Sequence, residues 1–185
     1  MSGGGVIGVI GAGAWGTALA QVAAANGHEV RLWARDAGLV AAINDRHENA
    51  AYLPGIPMSP LIRATGDLAH VAAAEANLIV TPAQAMRAVL ADLPQHGHPL
   101  ILCCKGIEAG THLLMSEVAQ AVHPASPVLV LSGPTFAAEV ARGLPTAVTL
   151  ASADAATGRA LTARIAAPHF RPYASNDVIG AEIGG

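Results

Sequence analysis

Hydrophobic and polar positions along the chain follow two alternating rhythms. Short unbroken apolar runs, Val6 to Ile10, Leu78 to Val80, Leu100 to Cys103 and Val128 to Leu131, predict strands buried on both faces. Glu29 to Ala34, Ile62 to Ala64, Thr146 to Ala151 and Phe170 to Tyr173 predict four more. Between them lie alanine-rich segments with apolar residues three and four apart. Met86, Val89, Leu90 and Leu93, for example, form one face of a helix over about Ala83 to Asp92. Further helices are expected at about Ala14 to Asn26, Ala37 to Asp45, Asp67 to Ala73, Leu113 to Val122, Phe136 to Arg142 and Asp154 to Ala166. Asn26-Gly27 closes the first, and Asp36 and Asp67 stand where N-caps belong. Strand and helix alternate without repeats, so the fold class is α/β with a mainly parallel, doubly wound sheet and helices on both faces. Residues 1–5, rich in glycine, are expected to be disordered.

The first strand runs without a linker into Gly11-Ala12-Gly13-Ala14-Trp15-Gly16-Thr17-Ala18. Gly11 permits a sharp turn at the strand end, Gly13 leaves room for a pyrophosphate against the backbone, and Gly16 lets the new helix lie close on its strand. Phosphates would then meet free N–H groups at a helix N-terminus. The pattern follows a strand, opens a helix and precedes a second strand, which is the context of a Rossmann dinucleotide-binding domain. Arg35 stands about 20 residues on, where an NAD-specific domain normally places an acidic residue. A guanidinium there stacks on adenine or meets a 2′-phosphate, so NADPH is the favoured cofactor. Asp36 keeps NADH open, because its carboxylate is suited either to a ribose hydroxyl or to the helix cap.

Two other strands deliver polar loops to the rim where open parallel sheets bind ligands. Cys104-Lys105-Gly106-Ile107-Glu108 follows one, and Lys105 is placed to hold an anionic or carbonyl substrate beside the cofactor, although a charge that merely ends a strand would look the same. Ser132-Gly133-Pro134-Thr135-Phe136-Ala137 follows the next, offering hydroxyls and N–H groups, with Thr135 also a candidate N-cap.

Composition narrows the remaining choices. The chain has 185 residues, a net charge of −3 and no basic cluster, so no nucleic acid partner is expected. Mean hydropathy is +0.45, yet no stretch reads as a membrane span. The two cysteines are neighbours with Cα atoms about 3.8 Å apart, closer than disulfide geometry favours, and read as buried thiols in a reducing cytoplasm. The eight histidines are scattered or sit, like His96 and His98, in a proline-flanked turn, so they are taken as surface residues and no metal is expected.

Together the glycine fingerprint, the Lys105 loop and the Ser132 to Ala137 loop closely resemble the bacterial NAD(P)-dependent glycerol-3-phosphate dehydrogenase family. Tyr52-Leu53-Pro54 and the segment from Asp177 to Gly184-Gly185 are similar to it too. The resemblance implies an oxidoreductase interconverting dihydroxyacetone phosphate and sn-glycerol 3-phosphate, cytoplasmic, homodimeric and feeding phospholipid synthesis. It implies cofactor contacts from Gly11, Gly13, Ala14, Trp15, Gly16, Arg35, Lys105 and Ala137, and substrate contacts from Lys105, Gly133 and Thr135. Ala14 departs from the serine more common in the family, and Asp36 from a second basic residue. The resemblance places the general acid or base lysine and a C-terminal helical domain beyond Gly185, with residues 175–185 starting the connection. Residues 1–185 alone are therefore expected to bind cofactor without turnover. Two other functions fit part of the pattern: a stand-alone nucleotide-sensing domain, and a reductase of a 3-hydroxy acid or ketopantoate.

Overall fold

A computed structural model describes residues 4–184; the expected disorder of residues 1–3, and Gly185 of the terminal glycine pair, lie outside the described residues. Gly4 and Gly5 lead directly into the first strand, and the Gly5 carbonyl lies 3.3 Å from His28 Nδ1.

The elements follow the predicted alternation: β1 (Val6–Ile10), α1 (Ala14–Ala25), β2 (Glu29–Trp33), α2 (Ala37–Arg46), β3 (Ile62–Thr65), α3 (Leu68–Ala72), β4 (Ala76–Ile79) and α4 (Ala83–Ala91). Then come β5 (Leu100–Leu102), α5 (Met115–Val122), β6 (Val128–Ser132), α6 (Ala137–Ala141), β7 (Thr146–Ser152), α7 (Ala155–Ile165), β8 (Phe170–Ser175) and α8 (Val178–Ile183). The strands form one sheet in the order β3-β2-β1-β4-β5-β6-β7-β8, parallel throughout except where β7 runs against β6. β1 therefore lies between β2 and β4, with Ile10 level with both Trp33 and Ile79. The winding reverses there, and it opens a crevice at the carboxyl ends of the strands.

Alternate residues of each strand feed two cores. Ile7 and Val9 of β1 join the aliphatic faces of α1 and α7 on one side, while Ile10 and Ile79 join α4 and α5 on the other. Alanines do much of the filling, since Ala18, Ala20 and Ala23 of α1 are all buried. Small side chains let this helix approach the sheet closely, which brings its N-terminus to the crevice.

Several expectations need correction. β4 begins two residues early, because buried Asn77 donates its Nδ2 to the Ala72 carbonyl at 3.2 Å and so sits in a strand despite its polarity. α8 was not anticipated; Asp177 starts it by accepting from Gly180 N at 2.8 Å, and Glu182 docks it on Ser116 at the head of α5. The histidines are not all on the surface. His28 and His123 are buried, and His123 Nε2 lies 2.8 Å from the Leu90 carbonyl, so one ring nitrogen is held by backbone. Among the described residues no helix is long and apolar enough to cross a membrane.

Candidate functional site

The glycine turn is built as its spacing required. Gly11 adopts φ +121°, and a Cβ there would stand 2.6 Å from the Val80 carbonyl oxygen, so neither the conformation nor the space admits a side chain. A Cβ on Gly16 would meet the Gly11 carbonyl oxygen, backbone against backbone, at 1.8 Å. Gly13 differs: nothing lies within 4 Å of its Cβ position. It is the N-cap of α1, and no side chain caps the helix. The first-turn N–H groups of α1 thus face open space with the positive end of the helix dipole behind them, a ready seat for phosphate oxygens.

A cleft of about 540 Å³ opens from this turn. Gly11, Ala12 and Gly13 floor it, Val80, Thr81 and Pro82 form one wall, and Arg35, Asp36 and Tyr52 form the other. Arg35 is exposed and has no ion pair among the described residues, leaving its guanidinium free for an anion. Asp36 caps α2, its Oδ1 accepting from Leu39 N at 2.8 Å, while it also lines the cleft. Ala14 and Trp15 open α1 beside the cleft.

Trp15 also lines a second cavity of about 230 Å³, together with Cys103, Lys105, Ser132, Gly133 and Thr135. The structure thus brings the three predicted substrate residues together around one hollow at the helix N-terminus. Thr135 does not cap α6, because Phe136 holds the N-cap position without a side-chain bond; the Thr135 side chain faces the cavity instead. Ala137 opens α6 against the α1 side of the core and lines neither cavity.

Lys105 is exposed and unpaired among the described residues, yet its loop is fixed. Arg87 of α4 grips Glu108 with Nε on Oε1 at 2.8 Å and a terminal nitrogen on Oε2 at 2.7 Å. The Thr111 hydroxyl donates to the same carboxylate, and the two partners, the guanidinium foremost, hold its pKa down to about 2. Gln84 adds a reciprocal pair, donating to the Ile107 carbonyl and accepting from Ala109 N, each at 2.8 Å. Burial pushes the Cys104 thiol up to about 11 and raises Cys103 well above the ordinary thiol range, so both are neutral and neither is a nucleophile.

Sequence reasoning missed four residues. Gln84 and Arg87 looked like surface positions of a helix, and only their spacing of three hinted at a shared target. Asn49 carries no motif in the sequence, though it is fully buried beneath the glycine turn. The sequence marks Ser132 only as one of the hydroxyls its loop offers, with no sign that it is buried. It is nine-tenths buried, and its hydroxyl has no partner beside the small cavity.

Comparison with known proteins agrees with this geometry. Residues 6–158 match the family described as NAD-dependent glycerol-3-phosphate dehydrogenase N-terminus. The chain is 59% identical over 182 residues to glycerol-3-phosphate dehydrogenase (NAD(P)+) of Parvibaculum lavamentivorans, covering 97% of this chain and 55% of that protein. It is 57% identical over 182 residues to the enzyme of the same name from Caulobacter vibrioides, covering the same shares. Among solved structures, glycerol-3-phosphate dehydrogenase of Coxiella burnetii superposes with a TM-score of 0.89 at 36% identity, over 97% of this chain and 56% of that one. The chain spans about half the length of these relatives.

Proposed function

The chain belongs to the family of NAD-dependent glycerol-3-phosphate dehydrogenase N-terminal domains, and from that membership we propose that it is the cofactor-binding part of an oxidoreductase interconverting dihydroxyacetone phosphate and sn-glycerol 3-phosphate. One observation carries this reading. Trp15, in the first turn of the helix that begins at the uncapped, side-chain-free Gly13, lines the hollow with Lys105, Gly133 and Thr135. A dinucleotide seated on the turn would therefore point toward the substrate hollow.

The residues present fit a dinucleotide: space at Gly13, free N–H groups on α1, a cleft long enough for an adenosine, and the free guanidinium of Arg35. When bound, that cofactor supplies or accepts the hydride. The chain's own residues orient and neutralise. Lys105 offers a mobile ammonium to a phosphate or to oxygen charge developing at the carbonyl, and Thr135 supplies a hydroxyl from the facing strand end. The neutral thiol of Cys103 keeps the base of the hollow uncharged. Proton transfer is assigned, by resemblance, to a lysine beyond Gly185. NADPH is preferred over NADH because the exposed guanidinium of Arg35 is free to meet a 2′-phosphate. A cytoplasmic homodimer feeding glycerophospholipid synthesis is the setting that follows.

The test is oxidation of NADPH by the full-length protein with dihydroxyacetone phosphate, beside Lys105→Ala and a panel of ketone substrates including ketopantoate. The proposal expects turnover of dihydroxyacetone phosphate alone, and a loss of about 10²-fold or more in kcat/KM for the variant with its melting temperature intact. Preference for another ketone, or an unaffected Lys105→Ala, would reject it.

A further inference from the structure

The loop between α2 and β3 contributes Tyr52 to one wall of the cofactor cleft, yet it carries no regular element of its own beyond a bridge between Glu48 and Pro57. What holds it is Asn49. This residue is 0% exposed, and both protons of its amide are used: Nδ2 donates to the Ala12 carbonyl at 2.9 Å and to Thr17 Oγ1 at 2.8 Å. Ala12 is the middle of the glycine turn, and Thr17 is the residue whose N–H closes the first turn of α1 on the Gly13 carbonyl at 2.9 Å. One side chain thus grips the phosphate-binding turn on both sides of Gly13.

Asn49 also shapes its own loop. Its carbonyl accepts from Tyr52 N at 3.2 Å and from Leu53 N at 2.8 Å, a tight turn that buries Leu53 and sets Tyr52 in the cleft wall, still half exposed. The loop's far end is tied to α1 a turn further on, where Gln21 donates to the Pro57 carbonyl and accepts from Ser59 N. The Asn49 Oδ1 atom is buried without a partner. An apolar residue would fill that space without stranding an acceptor, so the amide contributes through what its two protons hold.

We propose that Asn49 is the positioning residue of the dinucleotide cleft, its side-chain amide tying the turn that carries Tyr52 to the glycine turn, so that pyrophosphate and adenosine meet one preformed surface. The proposal rests on the cofactor reading above and adds a residue that touches no cofactor. Preorganisation of this kind raises affinity by removing the ordering cost from the binding step. Loss of the clasp should therefore weaken binding even in molecules that remain folded.

The experiment is titration of NADPH into the protein and into Asn49→Ala, Asn49→Asp, Tyr52→Ala and the Asn49→Ala/Tyr52→Ala double variant, each below its own melting transition. Asn49→Asp keeps the shape but only accepts, so it loses both donated bonds. Expected are losses in affinity of about tenfold or more for both Asn49 variants. Tyr52→Ala should weaken the parent measurably yet cost less than about twofold in the Asn49→Ala background, because a disordered wall no longer presents the ring. Should Asn49→Ala fail to fold, Thr17→Val removes one acceptor conservatively and should by itself weaken NADPH by a few fold. Variants that bind as the parent does, or Asn49 and Tyr52 losses that simply multiply, overturn the proposal while leaving the cofactor site intact. A parent that binds neither NADPH nor NADH refutes the cofactor reading itself, and the clasp with it.

Discussion

Gly13 and Gly16 lie three residues apart in one turn, yet the same substitution at each should have opposite consequences. In Gly16→Ala the new methyl would stand 1.8 Å from the Gly11 carbonyl oxygen, and real Cβ atoms essentially never come within 3.0 Å of a heavy atom. Helix and turn must separate by about 1 Å or more, with backbone on one side of the clash and close-packed helix on the other. Overpacking of that kind costs roughly 1–3 kcal/mol, and at ~2–4 °C per kcal/mol for a domain of this size the melting temperature should fall by about 5–10 °C. In Gly13→Ala nothing lies within 4 Å of the methyl, and φ −71° with ψ −176° is ordinary extended backbone. Alanine is the poorer N-cap, but it also restricts the unfolded chain; the two effects, each below about 1 kcal/mol, oppose each other, so melting should move by no more than about 2 °C. The methyl, however, occupies the space a diphosphate needs, and NADPH affinity should fall by about tenfold or more, equivalent to ~1.4 kcal/mol. Thermal melts and fluorescence titration of NADPH on the two variants and the parent make the comparison. If Gly13→Ala binds NADPH like the parent, the pyrophosphate does not sit on this turn.

Arg35→Ala should lower the ratio of NADPH to NADH affinity by about three- to tenfold, the worth of one charge-assisted pair at an exposed site, with binding of NADH nearly unchanged; equal losses for both cofactors would remove the 2′-phosphate argument. The Arg87–Glu108 pair should leave a signature in acid. Because the folded pKa of Glu108, about 2, lies below the ordinary carboxylate value of 4.5, the pair's contribution is complete above about pH 4.5 and disappears as pH falls through about 2. The difference in denaturation midpoint between the parent and Glu108→Gln should therefore shrink from pH 5 to pH 2, whereas a difference constant with pH would show that the carboxylate charge is not involved. Residues 1–185 by themselves should bind NADPH but show no detectable reduction of dihydroxyacetone phosphate, since a positioned acid contributes about 10²–10⁴-fold and the resemblance assigns it beyond Gly185; turnover within tenfold of the full-length protein would place the acid in this chain.

Much of the architecture was legible because buried parallel strands leave a simple trace. Val6 to Ile10 and Val128 to Leu131 are unbroken apolar runs, and their ends were placed to within a residue. Errors fell where polar groups are satisfied by distant partners. Asn77 conceals the start of β4 because its partner is a helix-end carbonyl, and α8 is set by Asp177 and by Glu182 reaching Ser116 across 66 residues. The antiparallel placement of β7 left no mark either, since the side-chain pattern of a strand does not record the direction in which it runs. At the site, the glycines, Arg35 and Lys105 announced themselves through spacing and charge at strand ends. Asn49, Gln84, Arg87 and Ser132 did not, because their roles depend on which carbonyl, carboxylate or cavity the fold places beside them. Thr135 shows the reverse case: a sound local reason to cap a helix gave way to the cavity it faces.

The most direct test of the account is to map NADPH onto the backbone by following amide resonances of the isotope-labelled protein during titration. Saturable shifts are predicted for Gly11 to Thr17, for Arg35 and Tyr52 at the adenosine wall, and for Lys105 and Thr135 at the rim of the substrate hollow. Shifts confined instead to the groove between α1 and α6, around Gln21, Arg142 and His169, would contradict it.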